Sequence, residues 1–203
     1  DYKVLEFRRV LFRSGNAGGT FSINKFHADL KSRGVAVSKE TLHGLLGHLE
    51  DAFLLCGVGV ATDSERRRQV NPRKVYPVDT GLSLLFERSG KPDTGHALET
   101  VVLHELQRRG LHVSYARTAS GFEVDFVVRG HGGGEALIQV CATLDNPDTL
   151  ARELRALRDA AAEWPGASQH LIAIDVPAPL QLPAGVRLHR ATEWLLDADP
   201  EEQ

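Results

Sequence analysis

The stretch GFEVDFVVRGHGGGEALIQVC, residues 121–141, constrains this chain most. Two apolar, β-branched runs flank a glycine-rich turn, which reads as an antiparallel strand pair. Alternation on the first run puts Glu123, Asp125 and Val127 on one face and Val124, Phe126 and Val128 on the other. A strand buried on both faces and still carrying acids has to place those acids against partners. On the second run Gln139 and Cys141 share a face.

The surrounding pattern predicts a mixed sheet flanked by helices. A helix over HALETVVLHELQRRG carries an apolar stripe of Leu98, Val101, Val102 and Leu106, with Glu99 at its edge and Gly110 as its stop. Strand HVSYAR precedes the pair. A helix from Pro147 to Trp164 follows it, with Leu150, Leu154, Leu157 and Ala161 on one face. Strand HLIAIDV and a short final pair, VRLHR and TEWLLD, close the chain.

Upstream, Ser22 is placed to cap a helix reaching about Arg33, and Ser38 to cap a second with Leu42, Leu45, Leu46 and Leu49 at 3-4 spacing. The turn GVAVS between them fits a helix-turn-helix. The strand-like runs FLLCGVGVAT and RKVYPVD then bracket an arginine-rich loop. That order is the winged-helix arrangement. It points to nucleic-acid contact through Lys39 and His43 on the second helix, with Arg66, Arg67, Arg68, Arg73 and Lys74 in or beside the wing gripping phosphates. The competing reading is a protein-contact module, because the second helix also bears Glu40, Glu50 and Asp51.

Charge supports a division into modules. Residues 1–90 hold 14 Lys and Arg against 10 Asp and Glu, whereas residues 91–203 hold 10 against 17. The expected organisation is a winged-helix-like module over 15–90 and a sheet module over 91–203. Residues 1–14, DYKVLEFRRVLFRS, stand apart: LFRS is what the end of a common sequencing adapter encodes. They read either as a read-through artefact, with an upstream domain missing, or as a native arm. No apolar run approaches the length of a bilayer span. Two distant cysteines, Cys56 and Cys141, point to a reducing cytoplasm with free thiols.

Taken together, FSINKFHADLKSRGVAVSKETLHGLLGHLEDAFLL, KVYPVDTGL, GHALETVVLHELQRRG, EVDFVV and LIQVC resemble one family over roughly residues 16 to 175. It is the domain of unknown function that follows the P-loop domain in a widespread group of prokaryotic AAA-type ATPases. The resemblance implies a winged-helix segment joined to a PD-(D/E)XK nuclease-like fold, an α/β architecture, and ATP binding only through an upstream domain. GNAGGTF lacks the Gly-Lys-Ser/Thr of a phosphate loop.

The nuclease-like pattern nominates Glu99, Asp125 and Gln139 as catalytic and Mg²⁺-ligating positions. Two departures weigh against activity. Gln139 is neutral where an acid is wanted, and Cys141 stands where the pattern has lysine; Arg117 and Arg152 are the nearest substitutes. The resulting expectation is an accessory portion of an AAA-type ATPase, contacting DNA or a protein through a winged helix and an inactive nuclease-like domain. The alternative is a Mg²⁺-dependent DNA endonuclease.

Overall fold

The computed structural model describes residues 20–64, 66, 71–84, 93–130 and 132–197. The expectations for residues 1–14, Arg67 and Arg68 fall outside these. The chain divides into two compact units, residues 1–100 and 101–203. The division lies within a helix, Thr94–Arg108.

In the first unit, strand β1 (Thr20–Phe21) leads into helices α1 (Ile23–Ser32) and α2 (Lys39–Asp51). The Ser22 hydroxyl accepts from the Lys25 amide and the Ser38 hydroxyl from the Thr41 amide, satisfying first-turn donors that the helices cannot. Gly34, at φ +76°, turns the chain after α1. Phe26 and Leu30 of α1 meet Leu42, Leu46 and Leu49 of α2 in a core closed by Phe21, Leu55 and Val75. Beneath them β2 (Leu55–Val58) and β3 (Arg73–Pro77) pair antiparallel, and β1 adds to the other edge of β3, giving the order β1-β3-β2. A short helix α3 (Thr80–Leu84) follows, then α4 (Thr94–Arg108).

The second unit is built on a five-stranded sheet, β4 (His112–Arg117), β5 (Glu123–Arg129), β6 (Glu135–Thr143), β7 (Ser168–Asp175) and β8 (Val186–Arg190), in that spatial order. The first three strands run antiparallel and the last three parallel, so the sheet is mixed. Helix α5 (Pro147–Glu163) makes the crossover from β6 to β7, and α6 (Ala191–Leu196) closes the described chain. No helix among the described residues is long and apolar enough to cross a membrane.

Three expectations need correction. On α4, Val101 is 37% exposed and Leu103 is fully buried in its place, so the inner stripe is Leu98, Val102, Leu103 and Leu106. On α5, the buried face is Glu153, Ala156, Leu157 and Ala160, while Leu150 and Leu154 flank it against Cys141, Leu144, Leu171 and Ala173. TEWLLD forms α6 with a buried Trp194 rather than a strand.

A charged node explains that last difference. Glu105 of α4 accepts from Arg108 Nε and Arg109 Nε, both at 2.7 Å. The Arg109 guanidinium also lies 4.2 Å from the centre of the Trp194 ring and donates to the Trp194 carbonyl at 2.7 Å. The carbonyl and ring of a helical turn are thereby held by one cation. The hydrogen bond from Arg108 is the largest influence pulling the Glu105 carboxyl down from 4.5 to about 2; Arg109 adds to it and burial opposes. A depressed carboxyl stabilises the fold above its unfolded pKa and loses that contribution as pH falls. Acid titration of stability should therefore show a loss between about pH 4.5 and 2, on the order of 2–3 kcal/mol, that Glu105→Gln removes. Equilibrium denaturation across that range measures it; an unchanged acid slope in the variant would refute the assignment.

Candidate functional site

The polar residues of the second unit converge on the junction of β5, β6 and α5. Backbone pairing between β5 and β6 runs from Arg129↔Glu135 to Phe126↔Ile138. One residue further on, side chains take over the ladder. The Asp125 amide donates to Gln139 Oε1 at 3.3 Å, and the Val140 amide donates to Asp125 Oδ2 at 3.0 Å. Each strand thus satisfies the other's backbone with a side chain where the strands part.

Gln139 carries the connection onward. Its Nε2 donates to Glu153 Oε2 at 2.6 Å, and Glu153 Oε1 accepts from Arg152 Nη2 at 2.6 Å and Nε at 3.1 Å. Asp125, Gln139 and Glu153 are 9%, 6% and 5% exposed, whereas the Arg152 side chain reaches solvent. Burial raises the Glu153 carboxyl above its ordinary value, Arg152 opposes that rise, and the Asp125 charge adds to it. Cys141, two residues along β6, is raised chiefly by burial and next by the Glu153 charge. It remains a thiol that donates to the Thr143 carbonyl at 2.9 Å.

This arrangement accounts for the glutamine. An amide is the one side chain here that can accept from the Asp125 backbone and donate to Glu153 at once. A carboxylate at 139 would set two like charges at hydrogen-bond distance. It also bears on a resident Mg²⁺. Asp125 Oδ2, Gln139 Oε1 and both Glu153 oxygens already accept hydrogen bonds, so a cation would have to share these oxygens with their present donors. Among the described residues no group of three or more His, Cys, Asp or Glu is placed to hold a metal ion. The residues do not fit a resident ion well.

Of the nominated positions, Asp125 and Gln139 are brought together. Glu99 meets two residues of the first unit: Lys74 Nζ lies 3.2 Å from its Oε1, and the Tyr76 hydroxyl donates to the same oxygen at 2.5 Å. Lys74 and Tyr76 alternate on β3 and so share the face that meets Glu99. Lys74 is consequently 1% exposed, an internal counter-ion rather than a phosphate contact. Lys39, His43 and Arg66 are exposed, and Arg73 stands 3.3 Å from Glu50. Arg117 is exposed at the end of β4, whereas Arg152 joins the polar chain through Glu153.

Glu153 was missed by reading apolar spacing alone. The available signal was an acid at i−3, i−4 and i−7 to Ala156, Leu157 and Ala160, on the inward face of α5.

With this geometry in view, residues 94–175 match the model of a family described as "Domain of unknown function (DUF4143)". The DUF4143 match runs from α4 to β7 and so contains Glu99, Asp125, Gln139, Arg152 and Glu153. No curated protein and no solved structure matches the chain.

Gln139→Glu should cost on the order of 2–3 kcal/mol at pH 8. Raising a carboxyl pKa in the fold gives stability that is complete at low pH and lost as pH rises. The deficit should therefore shrink by pH 5. Denaturant midpoints of both proteins at the two pH values decide it; an equal deficit at both would show that charge is not the cause.

Proposed function

We propose that this chain is a non-hydrolytic contact module, an accessory portion of an AAA-type ATP-binding protein. Its second unit is read as a nuclease-like scaffold and its first as a winged helix that touches the DNA backbone. The observation that carries the scaffold reading is the closed polar chain from Asp125 through Gln139 and Glu153 to Arg152, which uses the oxygens a catalytic cation would need. Support for the winged helix is the succession of two capped helices and an antiparallel strand pair around a shared core. Lys39 and His43 lie on the solvent side of α2, and Arg66 is exposed in the segment between β2 and β3.

A protein partner is the second reading, and one observation favours it. Phe53, just past α2, is 80% exposed and holds φ at +53°, a conformation a bulky side chain adopts at a cost.

DNA retention measured against salt distinguishes the two. On the DNA reading, retention falls steeply with salt, and combined Lys39→Ala, His43→Ala and Arg66→Ala changes weaken it about tenfold or more and flatten the slope. Retention without salt dependence would transfer the first unit to a protein partner. Incubation of plasmid with Mg²⁺ or Mn²⁺ checks the scaffold reading, which predicts no cutting. Cleavage abolished by Asp125→Ala would overturn it.

A further inference from the structure

Strands β7 and β8 join two half-buried histidines at the edge of the second unit's sheet. Parallel pairing sets His170 opposite Arg187 and Ile172 opposite His189, so the two imidazoles are diagonal neighbours on one sheet face. His170 Nδ1 lies 2.9 Å from His189 Nε2, with ring centroids 5.1 Å apart and 15° between planes. The centroid distance is the nitrogen separation plus one ring radius on either side, so the nitrogens point at each other in nearly one plane. That is a single N–H···N hydrogen bond, and it holds one proton. On the far side of His170, Nε2 lies 2.8 Å from Ser168 Oγ.

The proton count of this chain sets what it tolerates. Two neutral rings satisfy it, with His170 donating to one neighbour and accepting from the other. One added proton also fits, because an imidazolium donates to the lone pair that its partner keeps. Two added protons do not fit. Both facing nitrogens then carry hydrogen, the bond loses its acceptor, and two cations meet across 2.9 Å. The pair therefore titrates as a unit, and the second proton breaks it. We infer that His170 and His189 form an acid-sensitive latch, which fastens the edge strand β8 to β7 and releases it when both rings are protonated.

The surroundings resist charging. Burial, then the His189 and Arg187 charges, hold His170 down to about 4; burial and Arg187 lower His189, against Asp197. Arg187 acts from β8 and Asp197 from the end of α6, where Glu193 is exposed. From β6, the neighbours on this face are Ile138 and Val140, which carry no charge. Arg190 and Asp175 alternate onto the opposite face. On α4, Glu105 and Arg109 are paired with each other. Histidines depressed in the fold leave stability complete above their unfolded value near 6.5, and it is lost as pH falls toward about 4. That window lies above the one assigned to Glu105. Because β8 pairs with β7 alone, it can part without disturbing the ladder from β4 to β6.

The test is amide hydrogen exchange on the full chain at pH 7.5 and pH 5, expressed as protection relative to the unstructured rate at each pH. Protection of the β8 amides that pair with β7 should fall about tenfold or more at pH 5, while Val128 and Ile138 hold theirs. His170→Gln and His189→Gln should each make β8 protection insensitive to pH, and His112→Gln should leave the native dependence. Flat β8 protection in the native chain, or a fall that survives in both latch variants, overturns the proposal. Should a variant not fold, nitrogen NMR of the native imidazoles decides. A coupling across the His170–His189 hydrogen bond at pH 7.5 that vanishes together with β8 protection supports the latch. No coupling at pH 7.5, or one that persists after β8 has opened, overturns it.

Discussion

The second unit depends on how β5 and β6 are held where their backbones part. A sheet that splays exposes amides on both strands, and a buried amide without a partner costs about as much as a lost hydrogen bond. Asp125 and Gln139 resolve this reciprocally, each accepting from the other strand's backbone. The residues that looked most like chemistry in the sequence thereby carry the architecture. Their requirements then spread outward: Gln139 has to be an amide, Glu153 has to face inward from α5, and Arg152 has to follow it to offset a buried carboxylate.

The first unit shows the same economy of charge. Lys74 stands beside an arginine-rich loop in the sequence, yet alternation along β3 directs it with Tyr76 toward Glu99. A cation counted by composition as part of a basic surface is spent inside. Arg73, its neighbour, points the other way and meets Glu50. Of the described residues nominated for a partner, Lys39, His43 and Arg66 are exposed and Arg73 shares the surface with Glu50, while Lys74 is withdrawn.

Much of this was legible beforehand because it depends on local chemistry. Ser22 and Ser38 cap the helices that their positions announce, and Gly34 and Gly110 take the positive φ that ends α1 and α4. Strand alternation put Asp125 on the face opposite Val124, Phe126 and Val128. Reading failed where the answer lay in long-range pairing. Val101 and Leu103 exchanged roles because both fit an apolar helix stripe, and only packing chooses between them. Glu153 was passed over because an acid on a helix is ordinarily solvated, and TEWLLD was miscast because its helix is held by Arg109, 85 residues away in sequence.

The most direct test of this account is hydrogen exchange at the Val140 amide, whose partner in the fold is the Asp125 carboxylate. Val140 should exchange as slowly as Leu137 and Ile138 in the native chain. In Asp125→Ala it should become selectively fast while Gln139 and Cys141, paired toward β7, stay protected. An unprotected Val140 amide in the native chain would contradict it.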